Sequence, residues 1–582
     1  MNKRTRTALA SSLVAALALG AAGCSGDTRS TDGRGRGTNP ALANQGAVLG
    51  GTPMKGGTLT VLSNQDFTHL DPARNWVMGD MDFGTRLLYR TLVTYRAEPG
   101  AAGGKLVPDL AEDLGISSNG ARTWTFRLKK GLKYEDGSPI TAHDIKYNVE
   151  RSFSPDLPGG PDYAARYLAG AEGYRGPAKG GSLASVKVPD DHTITFELRR
   201  PFAEFPYAAV LPTFAPVPKA RDKGPRYDNR PFSSGPYRIE TYARDKQLVL
   251  VRNPHWDPDS DTVRKAYPDR IVVRMGLKGN QIDDRLVASS GADASAVPWG
   301  KLRPESVPKV LTRTDVRKRL LAESTNCTEM LQMHTGRAPF DQVKARQAVQ
   351  YALDREAVLT ASGGPALGDP ATALMPGSLF GGKQPDTLKI PLTGDVARAK
   401  QLLKEAGHPD GFATDITVSS GDKGVGEAIQ QSLGRAGIKV TIETVDPSAF
   451  YDSIGDTGNR TDLVYTGWCP DYPSGSTFLP FVFDGRYIKE KGNSGNHSLF
   501  RDRATMKRMD EIAAMTDAQQ AARAWQDLDG RILAKAPTAP AVIERMPLLV
   551  GTNVAGAFGH TSFGGQIDYA TVGLKDPSPS GS

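Results

Sequence analysis

Between residues 395 and 465 helical and extended patterns take turns, and this alternation constrains the fold more than any other feature of the chain. Asp395 to Ala406 and Glu427 to Ala436 carry helical periodicity and stop at Gly407 and Gly437, residues suited to the left-handed turn that ends a helix. Asp415 to Val418, Lys439 to Thr444 and Asp462 to Tyr465 read as the strands between them. Such a βα arrangement builds an open sheet, and ligands bind at the carboxyl ends of its strands. The last strand, Leu463-Val464-Tyr465, runs straight into Gly467-Trp468-Cys469-Pro470-Asp471-Tyr472. A single carboxylate beside large aromatics is costly to bury unless a cation or hydrogen-bond donors meet it. A solvated loop Asp next to core aromatics has the same sequence, so both readings stand at this point.

The surrounding elements fill out an α/β pattern. A helical pattern spans Asp341 to Leu359, two more span Asp502 to Ala514 and Asp517 to Leu533, and an apolar strand, Pro540 to Val550, follows. The first half is richer in strands, at Thr58 to Val61, Arg122 to Leu128, Thr193 to Leu198, Gln247 to Arg252 and Ile271 to Met275. One helix interrupts them, capped by Thr141 with Asp144 three residues on and an apolar face of Ile145, Val149 and Phe153. Gly57 to about Leu574 reads as one continuous globular unit, too large for a single core.

The N-terminus points to export. Lys3, Arg4 and Arg6 precede an uncharged apolar run, Ala8 to Ala22, too short to span a membrane comfortably. Ala21-Ala22-Gly23-Cys24 resembles the lipobox of bacterial lipoproteins, in which the Cys is lipidated and becomes the new N-terminus, although Ala21 replaces the usual Leu. An ordinary cleaved signal with Cys24 retained is the other reading. Ser25 to Thr38 has almost no apolar content and reads as a flexible leash.

Three cysteines is an odd number for an exported chain. If Cys24 carries lipid, Cys327 and Cys469 remain, either as a pair in an oxidising exterior or as two buried thiols. The formal net charge of +8 is partly local, since residues 1–38 hold six basic side chains against two acidic ones. The remainder is mixed in sign with no aromatic-studded basic stripe, which argues against a nucleic-acid partner. Catalytic signatures are missing: there is no H-E-x-x-H and no G-x-S-x-G, and Gly421 to Gly426 lacks the Lys-Ser/Thr of a phosphate loop. The eight histidines show no metal-ligand spacing, so no metal or cofactor is expected. A triad assembled in space stays open, so a secreted hydrolase remains a second reading beside a binding lipoprotein.

Several blocks, in order, resemble the family 5 extracellular solute-binding proteins, the oligopeptide and dipeptide receptors of ABC importers. They are Leu70-Asp71-Pro72, Val107 to Glu112, Trp124 to Lys133, Asp136 to Asp144, Ser234 to Tyr237 and Val251 to Pro254. Pro339 to Ala348, Ala352 to Glu356, Ala399 to Gly407, and Gly467-Trp468 with Asp471-Tyr472 complete the set. The resemblance implies an α/β, two-lobed periplasmic-binding-protein-like clamshell (class II) with an extra inserted domain. After a signal at 1–23 and a lipid anchor with flexible linker at 24–56, lobe I would comprise 57–91, 189–326 and 545–575. Domain II would be 92–188 and lobe III 327–544, with hinge strands near Leu321 to Cys327 and Ala541 to Met546.

In such receptors the lobes close over an extended peptide held by backbone hydrogen bonds, which are indifferent to side-chain identity. Asp471 matches the carboxylate that receives the peptide's α-ammonium. Gly467 and Cys469 would add backbone contacts, with Trp468 beside them, and Pro470 would fall on the non-contacting phase. Asn75, Trp76, Val77 and Met78 align with the lobe I segment facing the ligand, although Trp76 also suits core packing. Cys327 and Cys469 stand where the oligopeptide receptors carry a disulfide. One departure concerns the ligand carboxylate, because Tyr465 occupies the position that often holds an Arg; Arg460 and Arg486 are the candidate substitutes. The expected protein is a monomeric receptor, held to the cell membrane by lipid at Cys24, that hands oligopeptides to an ABC permease. Oligosaccharide, nickel or haem ligands within the same family, and peptide sensing without transport, are the alternatives.

Overall fold

The computed structural model describes residues 44–447, 449–458, 461–490 and 495–578. The signal segment, Cys24 and Arg460 lie outside the described residues. Three main sheets, each with its own core, carry the chain. In the first, Thr58–Leu62 lies between parallel Arg270–Arg274 and Ala296–Pro298, and antiparallel Gln247–Arg252 and Tyr237–Ala243 extend it. Thr58 to Val61 alternates in sequence, yet Leu59 to Leu62 are all buried, because a strand with parallel neighbours on both edges has both faces covered.

Residues 24–56, read as a flexible linker, are corrected for the part described. Leu49 bridges Ala557, Met54 bridges Leu574, and the Asn44 side-chain amide donates to the Leu320 carbonyl at 2.8 Å. These bonds are made mostly by the backbone, to which composition is blind.

The second sheet is antiparallel, in the order Ile116–Ser118, Thr123–Arg127, Thr193–Glu197, Val186–Asp190. Trp124 opposes Phe196 and Phe126 opposes Ile194, giving one apolar face. Helix Ala142–Arg151 buries Ile145 and Val149, and its Asp144 carboxylate accepts the Thr141 N–H at 2.9 Å to close the capping box. The domain II boundary at 188 is too early. The strand Thr193–Glu197 belongs to this sheet because its Ile194 and Phe196 find their partners there, and the same core continues to Phe214.

The third sheet has six strands, in the order Gly368–Pro370, Thr538–Leu549, Leu320–Met333, Leu463–Trp468, Phe412–Ser419, Ile438–Val445. The last three are parallel, as the βα alternation predicts. Helix Val396–Glu405 starts where the Asp395 carboxylate accepts the Arg398 N–H, and Gly407 and Gly437 take φ of 83° and 99°. The helix expected over Asp341 to Leu359 is two helices, Val343–Ala352 and Arg355–Ala361. Asp354 breaks it by accepting the Ala357 N–H at 2.9 Å and capping a new start.

Two long strands join the lobes. Leu320–Met333 and Thr538–Leu549 run antiparallel, with Leu321 and Leu548 in the core of the first sheet and Leu331 and Ala539 in that of the third. Between these halves the register slips: Ser324 opposes Arg545 but Thr328 opposes Ile543. Thr325, Asn326 and Cys327 therefore bulge against Glu544, with Asn326 at φ 62°. The result is an α/β clamshell of two lobes with an extra antiparallel domain. Among the described residues no helix is long and apolar enough to cross a membrane.

Candidate ligand-binding site

The strand Leu463–Trp468 is laddered to Thr328–Met333 along its whole length. On its other edge the ladder to Phe412–Ser419 covers only Leu463 and Val464. Residues 465–468 therefore present an edge with no strand partner among the described residues, and an extended chain adds at such an edge.

Past the strand, Cys469 is disulfide-bonded to Cys327. The register brings them together: Thr328 opposes Trp468, so the residue before one opposes the residue after the other, with Cα atoms 4.1 Å apart. A crosslink between residues 142 positions apart removes chain entropy worth roughly 5 kcal/mol on the loop-closure account. It also fixes the turn that follows. The Trp468 indole stacks on Phe481 at 3.7 Å and its N–H donates to the Thr477 carbonyl at 2.8 Å, so this ring is anchored on lobe III.

Asp471 meets the second domain. Its carboxylate accepts the hydroxyl of Tyr163, in the short helix Tyr163–Tyr167, and it forms no ion pair among the described residues. Burial pushes its pKa from 3.8 up to about 6, against the opposing pull of the Tyr163 hydroxyl and the Arg166 charge. The neighbouring Tyr472 is buried, shares a 2.8 Å hydrogen bond with the Tyr167 hydroxyl and stacks parallel to Tyr207. Ser474 then donates to the buried Glu204 carboxyl at 2.7 Å.

The lobe I segment is mixed. Asn75 is buried and its amide donates to the Asp80 carbonyl and the Tyr89 hydroxyl, a structural role. Trp76 is 50% exposed and Val77 also reaches solvent, which removes the core-packing reading of Trp76. Met78 opens helix Met78–Phe83 and packs against the core that also holds Tyr472 and Tyr163.

Tyr465 is corrected. Its ring is buried in the core of the six-stranded sheet, in register with Leu331, and does not stand in for the absent Arg. Arg486 is also committed elsewhere, ion-paired to Asp484 and Asp510.

Sequence reasoning missed two groups. Tyr163 and Tyr167 sit four apart in a Gly- and Pro-rich stretch, and that spacing was the only signal. Glu329 was a charge in the middle of an apolar strand. It opposes Gly467 so closely that a Cβ there would meet its Oε1. Burial, then the nearby Glu544 and Asp422 carboxylates, raise the Glu329 pKa, while Lys301 ion-pairs Glu544 at 3.5 Å. No group of three or more His, Cys, Asp or Glu side chains is arranged for a metal ion among the described residues.

Residues 105–489 match the family described as "Bacterial extracellular solute-binding proteins, family 5 Middle". The glutathione-binding protein GsiB of Salmonella paratyphi A is 26% identical over 457 residues, covering 77% of this chain and 82% of that one. The solved "Clavulanic acid biosynthesis oligopeptide binding protein 2" is 36% identical with a TM-score of 0.85, over 92% of this chain and 98% of its own. The Helicobacter pylori DppA structure in complex with peptide STSA, at 20% identity and TM-score 0.65 over 90% and 99% of the two chains, shares the fold. The chain thus belongs to family 5 of the bacterial extracellular solute-binding proteins, which serve ABC transporters of peptides and related solutes.

Proposed function

We propose that this protein is an extracytoplasmic receptor, anchored by lipid on Cys24, that captures oligopeptides between its lobes and delivers them to an ABC permease. The observation that carries the reading is Asp471: a half-buried carboxyl whose pKa desolvation raises, met by one hydroxyl and by no ion pair among the described residues, just past an edge open to an extended chain. A free peptide supplies both missing partners, backbone groups for residues 465–468 and an α-ammonium for Asp471. Neutral sugars offer no cation for that carboxyl. Gly467, Trp468 and Cys469 form the lobe III wall, with Trp76 and Val77 opposite on lobe I. Domain II, extended to about residue 214, supplies Tyr163 as the hydroxyl that orients the anchor.

The names of the relatives agree with a peptide, since glutathione, an oligopeptide and STSA are what those proteins are said to bind. The test is calorimetric titration of a free-amine tetrapeptide and its N-acetylated twin. We expect the acetylated peptide to bind at least a hundredfold more weakly to the wild type and the two to converge on Asp471→Ala. Equal affinity of both peptides for the wild type would end the proposal.

A further inference from the structure

Beside the groove, and sharing no wall with residues 467–471, lies a cavity of about 240 Å³. Tyr207 of its lining stacks on Tyr472, the residue after Asp471. The cavity walls come from every part of the molecule. The 101–105 turn and the 561–562 turn form one side, Glu204 and Tyr207 of the second domain another, and residues 375–379, 473–475 and 522–525 the third. Asn326, from the bulge in the connecting strands, closes the end.

Polar atoms without partners gather here. The Asn326 amide N–H donates to the Thr561 carbonyl at 2.8 Å, which fixes the side chain and leaves its Oδ1, in a residue only 4% exposed, accepting nothing. The hydroxyls of Ser562 and Ser378 are likewise buried and unpartnered. Glu204 is 5% exposed, accepts from the Ser474 hydroxyl with that of Ser476 also directed at it, and has no ion-pair partner among the described residues. The indole N–H of Trp525 faces the Glu204 carboxyl without closing a hydrogen bond in this arrangement. Buried polar groups in folded proteins are nearly always satisfied, so an unpartnered cluster around one cavity marks a missing occupant.

The chemistry of the occupant follows from the census. The Glu204 carboxyl and the Asn326 Oδ1 are acceptors, the two serine hydroxyls serve either way, and the Trp525 indole is the one fixed donor. The Trp525 and Tyr207 rings and the Met375 and Leu379 side chains give an apolar body to the space. At the rim, the exposed Lys105 ammonium forms no ion pair among the described residues. An acceptor-rich interior, an apolar middle and a cationic rim are complementary to a small zwitterion.

We propose that this cavity is a second ligand site, taking a free amino acid whose ammonium faces Glu204 and Asn326 and whose carboxylate faces Lys105. Because its walls come from both lobes and the second domain, an occupant stabilises their closed arrangement. By reciprocity it strengthens capture of a ligand in the groove, a coupling that rests on the peptide reading above. Binding of the amino acid itself does not depend on that reading.

The experiment titrates L-leucine and N-acetyl-L-leucine into the full chain by calorimetry, in wild type, Asp471→Asn, Glu204→Gln and Asn326→Ala. We expect one saturable site for L-leucine in wild type and Asp471→Asn, at least tenfold weakening in both Glu204→Gln and Asn326→Ala, and no binding of the acetylated form. Thermal unfolding checks that the variants are folded. A co-crystal structure with L-leucine is expected to show it against Glu204. Ordered water alone in the cavity overturns the proposal. So does leucine binding that disappears in Asp471→Asn but survives Glu204→Gln, because the groove was then the site. Saturating leucine is expected to raise tetrapeptide affinity severalfold in wild type and not in Glu204→Gln. An unchanged affinity in wild type removes the coupling while leaving the site to the first titration.

Discussion

Asp471, half-buried, and Glu204, buried, are both carboxyls at the junction between lobe III and the second domain, and they come from opposite sides of it. Asp471 belongs to lobe III and takes a hydroxyl from the second domain; Glu204 belongs to the second domain and takes one from lobe III. In each case burial raises the carboxyl's pKa and a hydroxyl opposes the shift. What separates them is the backbone alongside. Asp471 follows a strand with an open edge and a disulfide, whereas Glu204 sits beside a cavity lined by unpartnered side chains. The same local electrostatics thus serve an extended ligand in one place and a compact one in the other.

The largest test of that contrast removes the disulfide from the Asp471 side. Cys327→Ala with Cys469→Ala is expected to lower stability by about 2–5 kcal/mol, read by denaturant unfolding. Peptide affinity should fall with it as the turn loosens, while leucine affinity changes less. Asp471→Asn comes next. Losing a desolvated charge-assisted contact costs about 3 kcal/mol, roughly a hundredfold in tetrapeptide affinity by calorimetry.

The third test uses pH. The groups around Asp471 are Tyr163, Arg166, Asp162, Tyr167 and Tyr95. In the unliganded protein Asp471 titrates at about 6, and only its ionised form pairs with an ammonium. Peptide affinity should therefore drop about tenfold between pH 7 and pH 5, a dependence that vanishes in Asp471→Asn. The sign for stability is opposite to that of a salt-bridged Asp. Because the folded-state pKa lies above the unfolded value, this group's contribution to stability declines as pH rises from about 4 to 6 and stays lower above that. The smallest effect belongs to Tyr163→Phe, about 1 kcal/mol in peptide affinity, with the pH midpoint moving above 6 because an opposing hydrogen bond is lost.

Local signals read well from sequence where the cause was local. The Thr141–Asp144 capping box, the glycine stops at 407 and 437 and the parallel strands before Asp471 all depend on residues within a few positions. Asp354 splitting a long helical pattern was also written locally, and the apolar periodicity on both sides masked it. Alternation shows which face of a strand is apolar but not which sheet receives it, so a boundary at 188 cuts Thr193–Glu197 from its own sheet. Tyr465 continued an apolar run and stayed in the core for that reason. Tyr163 and Glu204 owe their roles to partners about 300 residues away, contacts that no periodicity carries.

The bridges from Leu49 to Ala557 and from Met54 to Leu574 also bear on how the protein is made. A chain that emerges amino-terminus first presents Leu49 and Met54 long before their partners beyond 550 exist. The second domain has its four strands by residue 197 and all of its core but Tyr472 and Phe563 by 214, so it is able to fold while the rest is still being synthesised. Lobe I closes only when the last strands arrive, which makes it the slow, high-contact-order part of the molecule. Until then the apolar face that packs against Val554, Ala557, Ile567 and Leu574 stays uncovered, so the stretch beyond residue 550 acts as the fastening that ends exposure to aggregation and proteolysis.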